Sequence, residues 1–535
     1  MITQSDLGDI QGNIAKAYGR FGFPVARHIL YQVNSPEVGR QFVAAITPLV
    51  TTSIPWPDNS QTPPVATNVA FTYEGLRHLD VPEDTLHGFP DEFAMGMKAR
   101  RDIVGDTGPN HFSRWDPVWN AEGDREAQRV HILVSINGKT EEVLEKQYQK
   151  IQQILSQAIA KFPEIPAPGV KQLDGHRGAG RDDLPYQPAG ALVGRWNKEH
   201  FGYNDGISDT YFEGCGEDPK LVIGGGKPTG KDPRTLEGWE PLKAGEFIFG
   251  HADESCAYPE APGPPLFSRN GTFLVYRKLH QNVASFNSYL ESEGARFPGG
   301  KEALAAKFAG RWRNGAPLAL FPTEESANRF VNEIAALKQK LQNNSATSSE
   351  KSRLEELNLQ LVAFDYVDDL DGAKCPFGAH TRRGNPRSAL MFGQKGAFGP
   401  AFDTPAALTN RRRMLRRGLP YGLVEEHPSD EGDHGVIILL LNADLSRQFE
   451  FVQQQWFNFG NDFRLANDQD PILGNHGINK ECRGKGRMVI EGDKDKPPYF
   501  CSNMPTLVET RGGDYFFVPS MTCLRMIGLG IIDPT

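Results

Sequence analysis

One histidine lies in an arginine-rich segment whose charges could neutralise a large anionic ligand around it. His380 belongs to CPFGAHTRRGNPR, residues 375–387, and Arg382, Arg383 and Arg387 follow it. Imidazole is the commonest protein ligand of a metal, and guanidinium groups pair well with carboxylates. A single histidine is nevertheless more often a hydrogen-bonded packing residue. The segment alone leaves both interpretations open.

Two further segments carry charged side chains in suggestive places. Asp205 lies in the glycine-flanked turn GYNDG, residues 202–206, where an aspartate is most often a structural cap. Arginines fill most of RRRMLRR, residues 411–417. Nucleic-acid binding, a solvated helix face and an anion-coordinating segment all fit that composition. A solvated helix face is the commonest of the three, but the sequence does not choose among them.

Composition excludes several classes of protein. The 535 residues are 39% hydrophobic, which excludes a disordered or fibrous chain. With 58 basic against 67 acidic residues, the net charge is -9, and we expect no nucleic-acid partner. The six cysteines include no CxxC pair, so neither a disulfide framework nor a structural zinc site is expected.

The same sequence predicts no membrane association. The longest aliphatic run, residues 436–441, is too short to cross a bilayer. Asp6 and Asp9 stand where a signal peptide would carry positive charge and then apolar residues. We therefore expect a cytoplasmic location.

Four pairs of a short apolar strand and an amphipathic helix supply the elements that must position these residues. The pairs are residues 27–33 with 36–50, 130–136 with 141–162, 272–279 with 281–290, and 435–441 with 443–457. Two pairs in each half are what two α+β domains would supply if each contained a split βαβ motif. Between them, the polar residues 325–361 predict an exposed helical hairpin.

Blocks spread over nearly the whole chain resemble the dye-decolorizing peroxidases, which are haem enzymes, and in particular their larger, non-exported subclass. In chain order the blocks are DIQGN (9–13), GYNDG (202–206), GEFIFG (245–250), NGTFLVYRKL (270–279), GRWRNGAPL (310–318), CPFGAHTRRGNPR (375–387), RRGLPYG (416–422) and GGDYFFVP (512–519). Any one block would be weak evidence, whereas their number and order make the resemblance strong.

The resemblance implies a fold and a cofactor. The fold is α+β, with two ferredoxin-like domains of antiparallel sheets and helices. We place them at residues 1–210 and 211–535, with a polar helical insertion near 325–361. One haem b per chain would be held mainly by the C-terminal domain.

The resemblance also assigns roles by motif position. His380 is the expected proximal ligand of the haem iron. Asp205 and Arg416 are expected on the distal side, where hydrogen peroxide binds. Arg382 and Arg387 are candidate partners of the haem propionates, by their charge and their position near the ligand.

The implied activity is a haem-dependent peroxidase that reduces hydrogen peroxide and oxidises dyes, phenolic compounds or similar one-electron donors. A carboxylate can shuttle the peroxide proton, and an arginine can stabilise the charge that develops across the O–O bond. Because the ordinary pKa of an aspartate is about 3.9, we expect an acidic optimum. The alternative is a non-catalytic haem carrier or sensor. Whether the chain is a monomer or a homo-oligomer is left open.

Some sites and departures from the family pattern remain as hypotheses. Tyr421 and Trp456 are candidate radical sites for bulky dyes, and core packing explains both at least as well. Gly418 stands where many bacterial members have an asparagine, and Asp209-Thr210 replaces the usual Gln-Pro. Asp470 is a candidate carboxylate partner for the His380 ring, which the sequence cannot place.

Overall fold

The computed structural model describes most of the chain. The described residues are 2–56, 62–120, 129–165, 168–174, 184–192, 194, 197–214, 219–390, 406–477, 486–493 and 495–532. Cys215 and Cys482 lie outside them. No helix in these ranges is both long enough and apolar enough to span a bilayer.

The strands are numbered in chain order. They are β1 Val25–Val33, β2 Val65–Phe71, β3 Ile132–Gly138, β4 Val170–Leu173, β5 Gln187–Gly190, β6 Lys227–Pro228, β7 Trp239–Glu240, β8 Thr272–Gln281, β9 Leu415–Tyr421, β10 Gly435–Asn442, β11 Gly486–Ile490, β12 Tyr499–Met504 and β13 Val508–Val518.

The α-helices are numbered in the same way. They are α1 Gln4–Asp9, α2 Gly12–Ala15, α3 Pro36–Ile46, α4 Tyr73–Arg77, α5 Glu83–His87, α6 Asp91–Ala99, α7 Arg101–Val104, α8 Glu141–Ala160, α9 Val222–Gly225, α10 Pro265–Ser268, α11 Val283–Gly294, α12 Gly300–Ala309, α13 Glu324–Gln342, α14 Ser348–Gln360, α15 His380–Gly384, α16 Ala407–Asn410 and α17 Met521–Leu529.

The two halves repeat one topology. In the N-terminal half the antiparallel strand order is β4-β1-β3-β2, with α3 after β1 and α8 after β3. In the C-terminal half the order is β13-β8-β10-β9, with α11 after β8. Each half is therefore a βαββαβ unit with the ferredoxin-like order, and the predicted fold class is confirmed.

One continuous sheet joins the halves. Strand β13 pairs with β8 along its length and meets β2 through Phe517 and Phe71, both fully buried. One hydrophobic cluster includes residues of both halves. The β-branched and aromatic side chains of these strands fill it because both faces of the joined sheet are largely covered.

The four predicted strand–helix pairs are present, with one difference. Thr140 caps α8, whose side chains Leu144, Tyr148, Ile151 and Leu155 are buried on one face as their spacing predicts. After β10, by contrast, the chain forms two π-helical segments, Leu445–Glu450 and Val452–Phe457, where we expected one regular helix. Such widened turns occur mostly at functional sites.

The arginine-rich segment 411–417 is not a helix. Its second part begins strand β9, so Arg416 and Arg417 point to opposite faces. Arg413 is buried and donates to the carbonyl oxygens of Gly225 and Gly226 at 2.9 and 3.3 Å. The solvated-helix interpretation is therefore wrong, because the segment is not helical and Arg413 is buried, where it donates to backbone carbonyls of a neighbouring segment.

The polar segment 325–361 forms the predicted hairpin. Helices α13 and α14 pack against each other, and Thr347 caps α14. Arg353 links them through an ion pair to Glu333 at 2.7 Å. Phe330, Ile334 and residues of α14 join a cluster beside the His380 segment, so the hairpin is fixed to the C-terminal half.

Candidate functional site

A cavity of about 570 Å³ gathers most of the predicted site residues. His380 lines it from the start of α15, Arg416 from β9 and Asp205 from the loop before β6. Apolar side chains of β10 and Phe457 form further parts of the wall. The cavity falls in the volume range of cofactor sites.

His380 is held by a buried carboxylate. Its Nδ1 lies 3.1 Å from Oδ2 of Asp470, which is 0% exposed. The ring of Phe457 stacks on the imidazole with centroids 5.4 Å apart. If Nδ1 carries the proton that Asp470 accepts, Nε2 is the nitrogen available to a ligand. Asp470 is thus the partner that the sequence could not place.

The environment keeps Asp470 ionised. Its Oδ1 accepts hydrogen bonds from the amides of Ile472 and Leu473 at 2.8 and 2.7 Å. Burial acts to raise the pKa of Asp470, but His380, Arg383 and the Leu473 amide together hold it below the ordinary value. An ionised carboxylate bonded to the ring increases the basicity of the imidazole as a ligand.

Arg383 ties the segment that carries Asp470 to helix α15. Its guanidinium is fully buried and donates to the carbonyl oxygens of Trp456, Phe459 and Asp468 at 2.7, 3.1 and 3.0 Å. Burial lowers the pKa of Arg383 to about 10. Because His380 lies one turn earlier on the same helix, Arg383 fixes the spacing between the imidazole and Asp470.

Arg382 does not reach the cavity. It is fully buried and donates from Nη1 to Asp369 at 2.9 Å and to the Cys375 carbonyl at 2.6 Å. Its guanidinium also lies over the rings of Tyr366 and Phe377. These contacts fix the loop that precedes α15. They do not fit the expected contact of Arg382 with a propionate, so we do not retain that role.

Asp205 and Arg416 line the same cavity. The Asp205 amide donates to the Asn197 carbonyl at 2.8 Å, and its Oδ1 accepts from the Gly206 amide at 2.7 Å. Among the described residues, the Asp205 carboxylate therefore bonds only the adjacent amide and not the amide two residues on that an Asx cap would use. Gly206 has a φ of 67° that favours glycine. Arg416 donates from Nη2 to the Ser208 carbonyl at 3.4 Å.

Two more arginines, Arg387 and Arg311, line the cavity without a carboxylate partner within hydrogen-bonding distance in the described chain. Arg387 donates to the carbonyls of Val362 and Gly224 at 3.0 and 3.3 Å, and Arg311 to those of Gly315 and Leu361 at 2.9 and 2.8 Å. Both guanidinium groups lie against the ring of Phe364.

Burial of the charged guanidinium groups of Arg311 and Arg387 costs free energy, which lowers their pKa values. Burial, and then repulsion from Arg387, lower the pKa of Arg311 to about 10, and burial lowers that of Arg387. Arg311 was not predicted, although it lies in the block GRWRNGAPL. Only the fold shows that it shares a cavity with Arg387 and Arg416.

Tyr421 and Trp456 are buried, at 2% and 1% exposure, and neither is among the residues described as lining the cavity. Trp456 donates from Nε1 to Asp462 at 2.9 Å and packs edge-on against Phe451 and Phe463. The Tyr421 hydroxyl has no hydrogen-bond partner among the described atoms. Both placements match core packing.

The cavity fits a haem group. A carboxylate-bonded imidazole offers one nitrogen to a metal, and apolar strand residues line the walls. In the described part of the chain, Arg311 and Arg387 carry positive charge that no carboxylate contacts directly. Guanidinium groups in such a place suit the carboxylates of an anionic ligand. His380, Arg311 and Arg387 are the residues that would hold it.

Comparisons with known proteins agree with this geometry. The family described as the DyP dimeric alpha+beta barrel domain matches residues 9–168. Peroxidase 2 of Mycetinis scorodonius is 24% identical, with 97% of this chain and 87% of that protein covered. A dye-decolorizing peroxidase of Exidia glandulosa is 26% identical, with 98% and 87% covered.

Solved structures show the same fold. A fungal DyP-type peroxidase from Auricularia auricula-judae has a TM-score of 0.69 at 22% identity, with 98% of this chain and 99% of that chain covered. A dye-decolorizing peroxidase in complex with 2,6-dimethoxyphenol has a TM-score of 0.68 at 21% identity, with 98% and 99% covered.

Proposed function

We propose that the chain belongs to the dye-decolorizing peroxidase family, to whose members it is similar over nearly its whole length, and that it is a haem peroxidase of aromatic one-electron donors. One observation carries the proposal: the His380–Asp470 pair, Asp205 and Arg416 meet at a single cavity. Overall, one hydrogen peroxide and two phenols give two waters and two phenoxyl radicals, so each donor loses one electron and one proton.

We propose haem b as the cofactor, one per chain. When bound, it supplies a redox-active iron to which peroxide can add. His380 would ligate the iron through Nε2, and Asp470 would keep that nitrogen electron-rich by accepting the Nδ1 proton. Arg311 and Arg387 would bind the propionates, since their hydrogen bonds to the described residues go to backbone carbonyls.

Asp205 and Arg416 divide the chemistry of the peroxide. The Asp205 carboxylate accepts the proton of the oxygen that binds and returns it to the oxygen that leaves as water. Arg416 stays cationic and stabilises the negative charge that develops on the leaving oxygen. Gly418 has no side chain to assist, so Asp205 is the expected proton carrier. An acidic optimum remains a prediction for this arrangement.

A visible absorption spectrum of the purified protein, before and after one equivalent of hydrogen peroxide, tests the proposal. We expect a haem Soret band that peroxide converts to a new spectrum within the mixing time. The conversion should slow strongly in Asp205→Ala and Arg416→Leu while the resting band is kept. A band that peroxide only bleaches would favour the carrier or sensor function. No band after addition of haemin would contradict both functions.

A further inference from the structure

A second pocket, of about 370 Å³, lies beside the loop that carries the distal residues. Ile207, Ser208 and Asp209 line both this pocket and the main cavity. Three residues of chain are therefore the shared wall between the two spaces. A molecule in the second pocket would sit close to the peroxide-binding side without entering the main cavity.

The helical hairpin forms the outer wall of this pocket. Leu354 and Leu357 of α14 are buried in the cluster that fixes the hairpin to the body. Lys351, Glu355 and Asn358 follow one another at helical spacing and line the pocket. The segment 324–360 thus has a position that a merely solvated insertion would not need.

The lining of the pocket is largely apolar. Its aliphatic side chains are Ile207, Leu221, Ile223, Leu354, Leu359, Leu361 and Val362. Aliphatic walls around a space of this size suit a single substituted aromatic ring, and a few polar groups at the edge would orient it. Ser208 and Asn358 supply such groups.

The charges around the pocket leave an excess of one cation. Asp209 is paired with Arg417 at 2.9 Å, and Glu355 is paired with Lys220. In the described part of the chain, Lys351 has no ion pair within 4 Å, and it remains exposed at the edge. Of the charged side chains that the structure describes around the pocket, Lys351 is the one that these pairings leave to meet an entering molecule.

We propose that this pocket binds the aromatic reductant and prefers one that carries a negative charge, such as a sulfonate or carboxylate on a phenol ring. The ring packs against the aliphatic wall, and the anion pairs with Lys351. The inference rests on the proposed peroxidase function for its purpose, but the binding step can be measured without turnover.

Three variants of the holoenzyme test the site. Lys351→Glu reverses the charge at the edge, and Asn358→Trp fills the pocket from α14. Lys338→Glu is the matched control, because Lys338 is exposed on α13 of the same hairpin and does not line the pocket. The probes are 4-hydroxybenzenesulfonate and uncharged phenol, with binding measured by calorimetry in the absence of peroxide and KM measured with it.

Lys351→Glu should weaken the binding of 4-hydroxybenzenesulfonate and raise its KM by about threefold to tenfold, which is the range of one or two exposed ion pairs. The same variant should change the binding and the KM of phenol by less than about twofold. Asn358→Trp should weaken the binding of both probes, whereas Lys338→Glu should change the binding of neither probe. Equal effects of the two lysine variants, or no effect of Asn358→Trp, would overturn the proposal.

The two proposals fail in different ways. Binding that depends on Lys351 without any peroxide-driven turnover would contradict the peroxidase function and keep the pocket. Normal phenol turnover with unchanged sulfonate binding in Lys351→Glu would contradict the pocket and keep the peroxidase function. Circular dichroism of each variant checks that the hairpin has folded.

Discussion

The two halves of the molecule share a frame and differ in where they carry long connections. In the N-terminal half the long connection lies between β2 and β3, and its helices support the other half. Asp106 there forms a buried ion pair with Arg277 of β8 at 2.7 Å. In the C-terminal half the long connections lie between α11 and β9 and after β10, and they carry His380 and Asp470.

The comparison teaches that the repeated frame positions the chemistry without containing it. The strand order is the same in both halves, yet among the described residues the imidazole that pairs with a buried carboxylate beside the cavity lies in the second half. Buried histidines of the first half serve structure instead: His131 accepts a hydrogen bond from the Val33 amide at 3.0 Å. Five experiments contrast the halves or neighbouring residues.

The largest effect is expected at His380. His380→Ala should abolish the Soret band and reduce peroxidase activity more than about a hundredfold, since even outer partners of metal ligands cost about 10–100-fold. His131→Gln, the matched change in the first half, should keep the band and lower only the unfolding temperature. Absorption spectra and thermal melts of both variants measure this. A full Soret band in His380→Ala would contradict the assignment of His380, and not His131, as the haem ligand.

Arg416 and Arg417 sharpen the contrast within one strand. Arg416→Leu should lower kcat by about two to three decades, as does the loss of one preorganised charge donor, with little loss of stability. Arg417 pairs with Asp209 and donates to the carbonyls of Asn13 and Ile14 at 2.7 and 2.8 Å. Arg417→Leu should instead cost about 3–5 kcal/mol in urea unfolding. A loss of stability in Arg416→Leu and a loss of kcat alone in Arg417→Leu would contradict the assignment of catalysis to Arg416 and of stability to Arg417.

Asp470→Asn should keep a folded protein and weaken haem retention or activity by about 10–100-fold, the typical effect of a ligand's carboxylate partner. An amide cannot supply the negative charge, so the reduction potential should rise in spectroelectrochemical titration. Asp468→Asn is the control, because Asp468 meets Arg383 through its carbonyl and does not touch the imidazole. An unchanged reduction potential in Asp470→Asn would contradict the role of Asp470 as the partner of the His380 imidazole.

Buried histidines in both halves, His476 among them, have lowered pKa values. The pH dependence of stability should therefore distinguish His131 from Asp470 and not one half from the other. Burial lowers the pKa of His28 to about 4 and that of His131 to about 3, from the ordinary 6.5. The unfolded state therefore binds protons first, and each such histidine removes about 2 kcal/mol between pH 7 and pH 5. Asp470, whose folded pKa is lowered, loses its contribution only as the pH falls below 3.8.

Urea unfolding at pH 7, 5 and 4 measures this difference. His131→Gln should flatten the loss of stability between pH 7 and pH 5. Asp470→Asn should leave that interval unchanged. If both variants flatten it equally, the assignment of this part of the pH dependence to His131 is wrong.

The smallest effects are expected at Tyr421 and Trp456. Burial raises the pKa of Tyr421 well above its ordinary value, and its hydroxyl has no described partner. Tyr421→Phe should change stability by less than about 1 kcal/mol, because it removes an unsatisfied polar group. Activities with a bulky dye and with a small phenol should then fall equally in Tyr421→Phe and Trp456→Phe. A loss confined to the dye would restore the radical role.

Local patterns were sufficient to predict the frame. Periodic apolar residues gave the four strand–helix pairs and the hairpin, because each pattern reports which face of one element is buried. The order of the strands came from the family resemblance, since no local pattern encodes which strands pair. His380 could be selected because its chemistry and its arginine neighbours lie within a few residues.

The remaining parts of the site depend on distant contacts. Asp470 lies 90 residues from His380, and Arg311 meets Arg387 only through the fold. The sequence could not choose among the three interpretations of segment 411–417, because only the fold shows that backbone carbonyls bind Arg413 and Arg417 inside the protein. The propionate contact expected for Arg382 is not retained for a similar reason, because the fold pairs Arg382 with Asp369.

The position of β13 has a consequence for the order of assembly during synthesis. It follows the other twelve strands along the chain, yet it lies at the centre of the sheet between β2 and β8. Gln11 adds a hydrogen bond to the carbonyl of Pro519, just beyond this strand, at 2.9 Å. A nascent chain can therefore pair β1 with β3 early, but the continuous sheet between the two halves can form only after residue 519 has left the ribosome. A cofactor that needs the finished cavity would be loaded only after β13 has paired.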